Sequence, residues 1–193
     1  MNRHNLILVL ALAAGICAGA SALTRERTSI DNGWKFAFGN ASSPEKDFGA
    51  GTEYFTYLTK AASIHNTGPY AMDFNDSTWT AVNLPHDFVV DLPFDSVASH
   101  SHGYKTVGYK YPETSVGWYR KELTIPAADS LSRFAVAFDG IFRDSKVWFN
   151  GFYLGGEPSG YTSAAYDITP YINFGGRNVL TVRSDATIEE GWF

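Results

Sequence analysis

The chain of 193 residues carries a formal net charge of −5, with 15 Lys and Arg against 20 Asp and Glu, and it contains one cysteine. No basic run or stripe occurs, so the charge pattern argues against nucleic acid as a partner. Hydrophobic residues make up 45% and charged residues 18% of the chain, a balance that excludes a disordered protein and predicts a globular one. Aromatic residues make up 16%, which favours a fold built from strands.

The start of the chain has the features of a secretory signal peptide. Arg3 precedes an apolar run from Leu6 to Ala14, and small residues follow up to Ala22. We therefore predict a signal peptide over residues 1–22, cleaved after Ala22. The apolar run is too short to span a bilayer core of about 30 Å. The predicted location is the periplasm or the extracellular space, with no membrane attachment after cleavage.

Cys17 is the one cysteine, and it raises the alternative of a lipid anchor. Ile16 is larger than the small residue that usually precedes a lipidated cysteine, so cleavage after Ala22 is favoured. Removal of the signal peptide leaves residues 23–193 without a thiol. The core of this domain must therefore hold together without disulfides.

Apolar residues beyond the signal peptide recur at every second position, which is the period of β-strands. The pattern appears first at Trp34, Phe36 and Phe38, and again at Phe134, Val136 and Phe138. Further strands are predicted over residues 78–84, 117–125 and 178–183. No window of eleven residues shows a helical stripe. Several short strands separated by turns predict an all-β fold, either a sandwich or a barrel.

A tight hairpin is the clearest local prediction. Val147 and Phe149 alternate with Lys146 and Trp148, and the apolar pattern resumes from 152 to 154. Between them lies Asn150-Gly151, a pair that accepts positive φ at both central positions of a two-residue turn.

Two segments, 42–73 and 87–114, lack a strand pattern. Long irregular segments in compact domains are functional or disordered. His100-Ser101-His102 in the second segment places two imidazoles on one side of an extended stretch, a spacing that metal sites use. No cysteine and no obvious carboxylate accompanies them, so we expect a solvated loop and no metal.

Other catalytic motifs are absent from the sequence. No Gly-x-Ser-x-Gly nucleophile elbow occurs, and the Gly-Gly pairs at 155–156 and 175–176 lack the strand-to-helix context and the lysine of a phosphate loop. We therefore expect no cofactor. Glu189 and Glu190 are adjacent, so in one strand their side chains would point to opposite faces. They cannot together supply the two carboxylates, about 5–10 Å apart, that glycoside hydrolysis requires.

Aromatic side chains outside the strands are candidates for stacking on sugar rings. Trp79, Trp118 and Trp148 lie within strand patterns, so we predict that they are buried. The candidates for sugar contact lie in loops or near the end of the sequence and are Tyr104, Tyr109, Tyr111 and Trp192.

A series of short motifs carries a resemblance to a known family. The segments are Val-Asn-Leu-Pro-His-Asp-Phe at 82–88, Gly-Trp-Tyr-Arg-Lys at 117–121, Phe-Asp-Gly-Ile at 138–141, Val-Trp-Phe-Asn-Gly at 147–151, Gly-Tyr-Thr at 160–162, Tyr-Asp-Ile-Thr at 166–169, Asn-Val-Leu-Thr-Val-Arg at 178–183 and Glu-Gly-Trp-Phe at 190–193. In order and spacing the chain resembles the N-terminal domain of glycoside hydrolase family two, which contains β-galactosidases, β-glucuronidases and β-mannosidases. The resemblance covers residues 34–193 apart from the two irregular segments.

The resemblance implies a jelly-roll β-sandwich of the galactose-binding-domain type over residues 23–193. In the family an immunoglobulin-like domain and a TIM barrel follow, and both catalytic glutamates lie in the barrel. No catalytic residue is therefore assigned in this chain.

In some members of the family the first domain also contributes to the sugar subsite. An Asn just before the Gly-x-Tyr segment and an acidic residue near the terminal aromatic motif make these contacts. Thr114 or Ser115 occupies the first position here, and Glu189 or Glu190 serves as the second. His86 and Asp87 follow a proline and favour a role in bracing a loop. The predicted substrate-binding residues are Glu189, Glu190, Trp192 and Asp87.

Three functions fit these observations. The first is the N-terminal part of a secreted retaining exo-glycosidase, most like a β-galactosidase, which takes a carbohydrate substrate and packs on downstream domains of the same chain. The sequence stops at Glu-Glu-Gly-Trp-Phe, without a polar tail, which favours a truncated chain. The second is a stand-alone carbohydrate-binding module, and the third is a structural domain that only packs against its neighbour.

Overall fold

The computed structural model describes residues 25–50 and 68–188. Eight strands form there: β1 Trp34–Phe38, β2 Thr80–Val82, β3 Val116–Thr124, β4 Ala135–Phe138, β5 Ser145–Phe149, β6 Phe152–Glu157, β7 Ala164–Asp167 and β8 Arg177–Asp185. Three short 3-10 turns, His100–His102, Ala127–Asp129 and Thr169–Tyr171, are the remaining regular elements of these residues. No helix in the described ranges is long and apolar enough to cross a membrane.

The strands form two antiparallel sheets of unequal width. The large sheet has six strands in the order β2-β1-β3-β8-β5-β6, and the small sheet pairs β4 with β7. Their facing sides hold the main core, in which Phe36, Tyr119 and Val182 of the large sheet belong to one apolar cluster with Val136 of the small sheet. The predicted all-β sandwich is confirmed.

The outer side of the large sheet is also covered. Trp118 and Trp148 stack there with ring centroids 5.5 Å apart, and Phe48 and Tyr70 from the adjoining segments pack against them. Strand β5 consequently has Trp148 buried on its outer face as well as Val147 and Phe149 on its inner face. The burial predicted for Trp79, Trp118 and Trp148 is confirmed.

Buried ion pairs fasten these covering segments to the sheet. Asp47 accepts hydrogen bonds from Arg183 Nε at 3.1 Å and from Trp118 Nε1 at 2.7 Å. Asp76 accepts from Arg120 Nε at 2.8 Å and from Lys35 Nζ at 2.6 Å. A buried guanidinium requires hydrogen-bond partners. Each arginine therefore fixes the position of the covering segment that carries its carboxylate partner.

The predicted strands are present, and their ends differ from the prediction by at most three residues. The Asn150-Gly151 turn has φ of 51° and 85°, as the hairpin prediction requires. Strand β7 was not predicted from the alternation. The extended conformation expected at His100-Ser101-His102 is wrong, because these residues form a 3-10 turn capped by the Ser99 side chain.

Candidate functional site

The segment between β2 and β3 presents exposed aromatic rings. Tyr109 is 67% exposed and Phe94 is 69% exposed, and the Phe94 ring lies 5.6 Å from that of Tyr104. Tyr111 is partly buried instead, and its hydroxyl donates to Asp95 at 2.7 Å, which lowers the pKa of that carboxyl. Three tyrosines of this loop are predicted to contact sugar. Of these, Tyr104 and Tyr109 have side chains exposed enough for a sugar to reach them.

Asp87 and His86 lie at the start of the same segment. The exposed Asp87 carboxylate accepts a hydrogen bond from the Val89 amide at 2.8 Å, so it caps a turn. His86 Nδ1 lies 2.9 Å from the Tyr119 hydroxyl, and its ring packs 4.8 Å from Phe36. Burial, and secondarily the negative charge of Asp87, raises the pKa of Tyr119. Both residues therefore brace this loop, and substrate contact by Asp87 stays a prediction.

Thr114 and Ser115 lie at the end of the sandwich where β3 begins. The Ser115 hydroxyl is buried and donates to the carbonyl of Tyr111 at 2.6 Å, while it accepts from the Gly108 amide. Thr114 donates to the carbonyl of Thr106. These hydroxyls hold the loop in place, and a sugar contact at this position stays a prediction.

The chain that leaves β8 passes the same end of the sandwich before the described residues end at 188. Ala186 donates its amide to the Ser115 carbonyl at 2.8 Å, which places the chain beside the loop before β3. Glu189, Glu190 and Trp192 lie outside the described residues, and their predicted role stays a prediction.

A groove with a volume of about 690 Å³ opens between the two sheets. One wall is the segment that precedes β1, residues 27–31, another runs from Ala137 at the end of β4 to Phe142, and residues 84–86 line a third side. Its floor consists of Trp34, Tyr119 and Val182 of the large sheet. We call it the intersheet groove.

The intersheet groove has a mostly apolar floor and a charged rim. Arg27 and Asp139 face each other across it at 3.3 Å, and both side chains are largely exposed. Its walls come from segments more than 100 residues apart in the sequence. Phe138-Asp139-Gly140-Ile141 is one of the motifs of the family resemblance, but no local signal in the sequence indicates that it lines the same groove as residues 27–31.

In the part of the chain that the structure describes, no three His, Cys, Asp or Glu side chains are grouped so that they could hold a metal ion. His100 packs against Tyr104 with ring centroids 5.6 Å apart.

Comparison with known proteins gives one consistent result. The family model described as "Glycosyl hydrolases family 2, sugar binding domain" matches residues 27–188. A β-galactosidase of Bacteroides ovatus is 31% identical over 172 residues, which are 89% of this chain and 17% of that protein. A putative β-glucuronidase of Formosa agariphila is 34% identical over 61% of this chain and 11% of its own length.

Solved structures show the same relationship. A glycosyl hydrolase family 2 member from Bacteroides cellulosilyticus superposes with a TM-score of 0.62 at 28% identity, over 85% of this chain and 18% of its own. A β-glycosidase from Bacteroides vulgatus superposes with a TM-score of 0.56 at 30% identity, over 81% of this chain and 16% of its own. The chain thus spans less than a fifth of the length of these relatives.

Proposed function

The chain belongs to glycosyl hydrolase family 2, and on that premise we propose that it is the non-catalytic N-terminal domain of a secreted retaining exo-glycosidase of the β-galactosidase type. The match of residues 27–188 to the family's sugar binding domain carries this proposal. The β-galactosidase of Bacteroides ovatus is similar over 89% of the chain, which favours galactosides over glucuronides.

The parent enzyme would hydrolyse the terminal sugar in two steps. One glutamate attacks the anomeric carbon and forms a covalent glycosyl intermediate, while a second protonates the leaving oxygen and then activates water. We place both glutamates in the part of the protein that lies beyond this chain.

The chain's own buried carboxylates support a non-catalytic role. Asp47 is held by Arg183, and Asp76 is held by Arg120 and Lys35. A general acid needs a proton near neutral pH, whereas the two cations hold the pKa of Asp76 below its ordinary value although burial opposes them. These carboxylates stabilise the fold.

Two measurements test the proposal. Sequencing the gene past codon 193 should show an open frame of several hundred codons, with alternating strands and helices and two glutamates at strand ends. The complete product should hydrolyse a chromogenic β-galactoside, whereas the 193-residue chain should show no turnover. Turnover by the chain alone would refute the non-catalytic assignment.

Secretion is tested by the N-terminus of the exported protein. Cleavage after Ala22 makes Leu23 the first residue, which mass spectrometry of the mature protein would identify. An intact Met1 on the exported protein would refute the predicted signal peptide.

A stand-alone carbohydrate-binding module is the second candidate, and the exposed rings of Phe94, Tyr104 and Tyr109 favour it. Aromatic faces of this kind stack on sugar rings. Calorimetric titration of the chain with a panel of galactosides and glucosides should then show saturable binding, which Tyr109→Ala weakens. A flat titration would leave the glycosidase domain as the sole proposal.

A further inference from the structure

We propose that Asn32 is a site of spontaneous deamidation, in which the backbone nitrogen of Gly33 attacks the Asn32 side chain. The inference concerns a covalent modification of this chain, and it is independent of the proposed function. The sequence contains two Asn-Gly pairs, at 32–33 and 150–151. Their local chemistry is the same, so a difference between them comes from the fold.

The reaction needs water and no other group from outside the chain. The Gly33 nitrogen forms a bond to Asn32 Cγ, the bond from Cγ to Nδ2 breaks, and Nδ2 leaves as ammonia together with the Gly33 amide proton. Water then opens the resulting succinimide ring at either of its carbonyls, which gives aspartate or isoaspartate. Glycine hinders this attack least, because it carries no side chain beside its nitrogen.

The first pair is open to the attack. Asn32 and Gly33 are both exposed and lie in the bend before β1, where the Asn32 side chain makes no hydrogen bond to any described residue. A Cβ added at Gly33 would meet only Lys121 Nζ, at 3.3 Å. Gly33 has a φ of 72°, which favours glycine. The backbone geometry of the bend therefore retains the reactive pair.

Two polar contacts act on the attacking nitrogen in opposite directions. Lys121 Nζ donates to the Asn32 carbonyl, and since the nucleophile is the deprotonated amide, a neighbouring cation favours it. Asn83 Oδ1 accepts from the Gly33 amide at 2.9 Å, which opposes the loss of that proton. An exposed hydrogen bond is worth little because water competes for both partners. The Asn83 contact therefore slows the attack but does not prevent it.

The second pair is protected by the core. Asn150 is 6% exposed, and its Nδ2 donates to the Tyr171 carbonyl at 2.7 Å and to Asn178 Oδ1 at 2.8 Å. Its Oδ1 accepts from the Val179 amide at 2.8 Å. An attack by the Gly151 nitrogen would break these bonds and leave buried polar groups without partners. We therefore expect Asn150 to keep its amide while the chain is folded.

The two products at Asn32 differ in their effect on the fold. Aspartate adds a negative charge to a residue whose carbonyl binds Lys121, and it leaves the backbone unchanged. Isoaspartate adds a carbon to the backbone between Ile30 and Trp34. The Trp34 ring is buried and its Nε1 donates to the Ile30 carbonyl at 2.8 Å, so isoaspartate would disturb the entry of the chain into β1.

Peptide mapping of the aged protein tests the proposal. The 193-residue chain is kept folded at mildly alkaline pH and then cut with trypsin, which releases Asn32 in the peptide 28–35 and Asn150 in the peptide 147–177. Mass spectrometry should show that Asn32 is converted at least about 100-fold faster than Asn150, because a buried group reacts only when its surroundings open. In guanidinium the two rates should agree within about threefold, because the protecting fold is lost. An Asn32 that keeps its amide in the folded chain would overturn the proposal, as would an Asn150 that reacts equally fast there.

Variants of two exposed asparagines test the identity of the nucleophile. Asn83→Ala removes the acceptor that holds the Gly33 amide, so it should raise the rate at Asn32 about two- to fivefold. Asn75→Ala is the matched control, because the Asn75 side chain accepts from the Ser77 amide at 3.0 Å and not from Gly33. It should leave the rate unchanged. No rise with Asn83→Ala, or an equal rise with both variants, would overturn the proposal.

Discussion

At the scale of single residues, Asp47 is a side chain on which the stability of the fold depends, because its carboxylate is fully buried. Asp47→Asn keeps the shape of the side chain but removes the carboxylate charge that lies 3.1 Å from Arg183 Nε, and the Arg183 side chain is 2% exposed. Removing one partner of a buried ion pair costs about 3 kcal/mol of folding free energy. We expect the free energy of unfolding to fall by this amount, measured by urea unfolding with tryptophan fluorescence as the signal. The matched control is Glu113→Gln, which removes an exposed pair with Lys46 and should cost less than about 1 kcal/mol.

Asp76 makes part of the fold's stability dependent on pH. Burial acts to raise the pKa of Asp76, but the hydrogen bonds and charges of Lys35 and Arg120 outweigh it, so the pKa lies below its ordinary value of 3.8. A carboxyl with a depressed folded pKa stabilises the protein above the unfolded pKa, and this contribution is lost as the pH falls through the folded one. Asp76→Asn should therefore destabilise the chain strongly at pH 7 and progressively less below about pH 4. Urea unfolding at a series of pH values would measure this, and an unchanged difference at pH 3 would contradict it.

At the scale of elements, the β5–β6 hairpin depends on its turn. Gly151 has a φ of 85°, so Gly151→Ala should lower the free energy of unfolding by about 1–2 kcal/mol. Gly176→Ala is the control, because its φ is not positive and an added Cβ would meet only Asn173 atoms at 3.6 Å. Equal losses in thermal unfolding of the two variants would show that the turn geometry does not govern the hairpin.

Elements that follow from local pattern were predictable, and those that depend on distant contacts were not. Strands β3 and β8 are rich in aromatic and β-branched residues and are bounded by turn residues, so their positions followed from the sequence. Strand β7 contains two alanines, which give little contrast between its faces. The placement of the segment around Asp47 depends on a pair with Arg183, 136 residues away, and no local pattern contains such information. The intersheet groove was unpredictable for the same reason, because residues 27–31 and 137–142 of its walls are more than 100 residues apart in the sequence.

At the scale of the whole molecule, the apolar loop before β3 should govern how the isolated chain behaves in solution. Val90, Phe94, Val97 and Tyr109 are each at least 60% exposed, and a loop that exposes several large apolar side chains is a candidate for an interface. If the longer protein covers this loop, the 193-residue chain should self-associate as its concentration rises. The combined substitution Phe94→Ser and Tyr109→Ser should suppress that association, measured by sedimentation velocity, without changing the urea midpoint. Leu131→Ser is the control, since Leu131 is 99% exposed and lies in a different turn, and an equal effect there would show that general hydrophobicity, and not this loop, causes association.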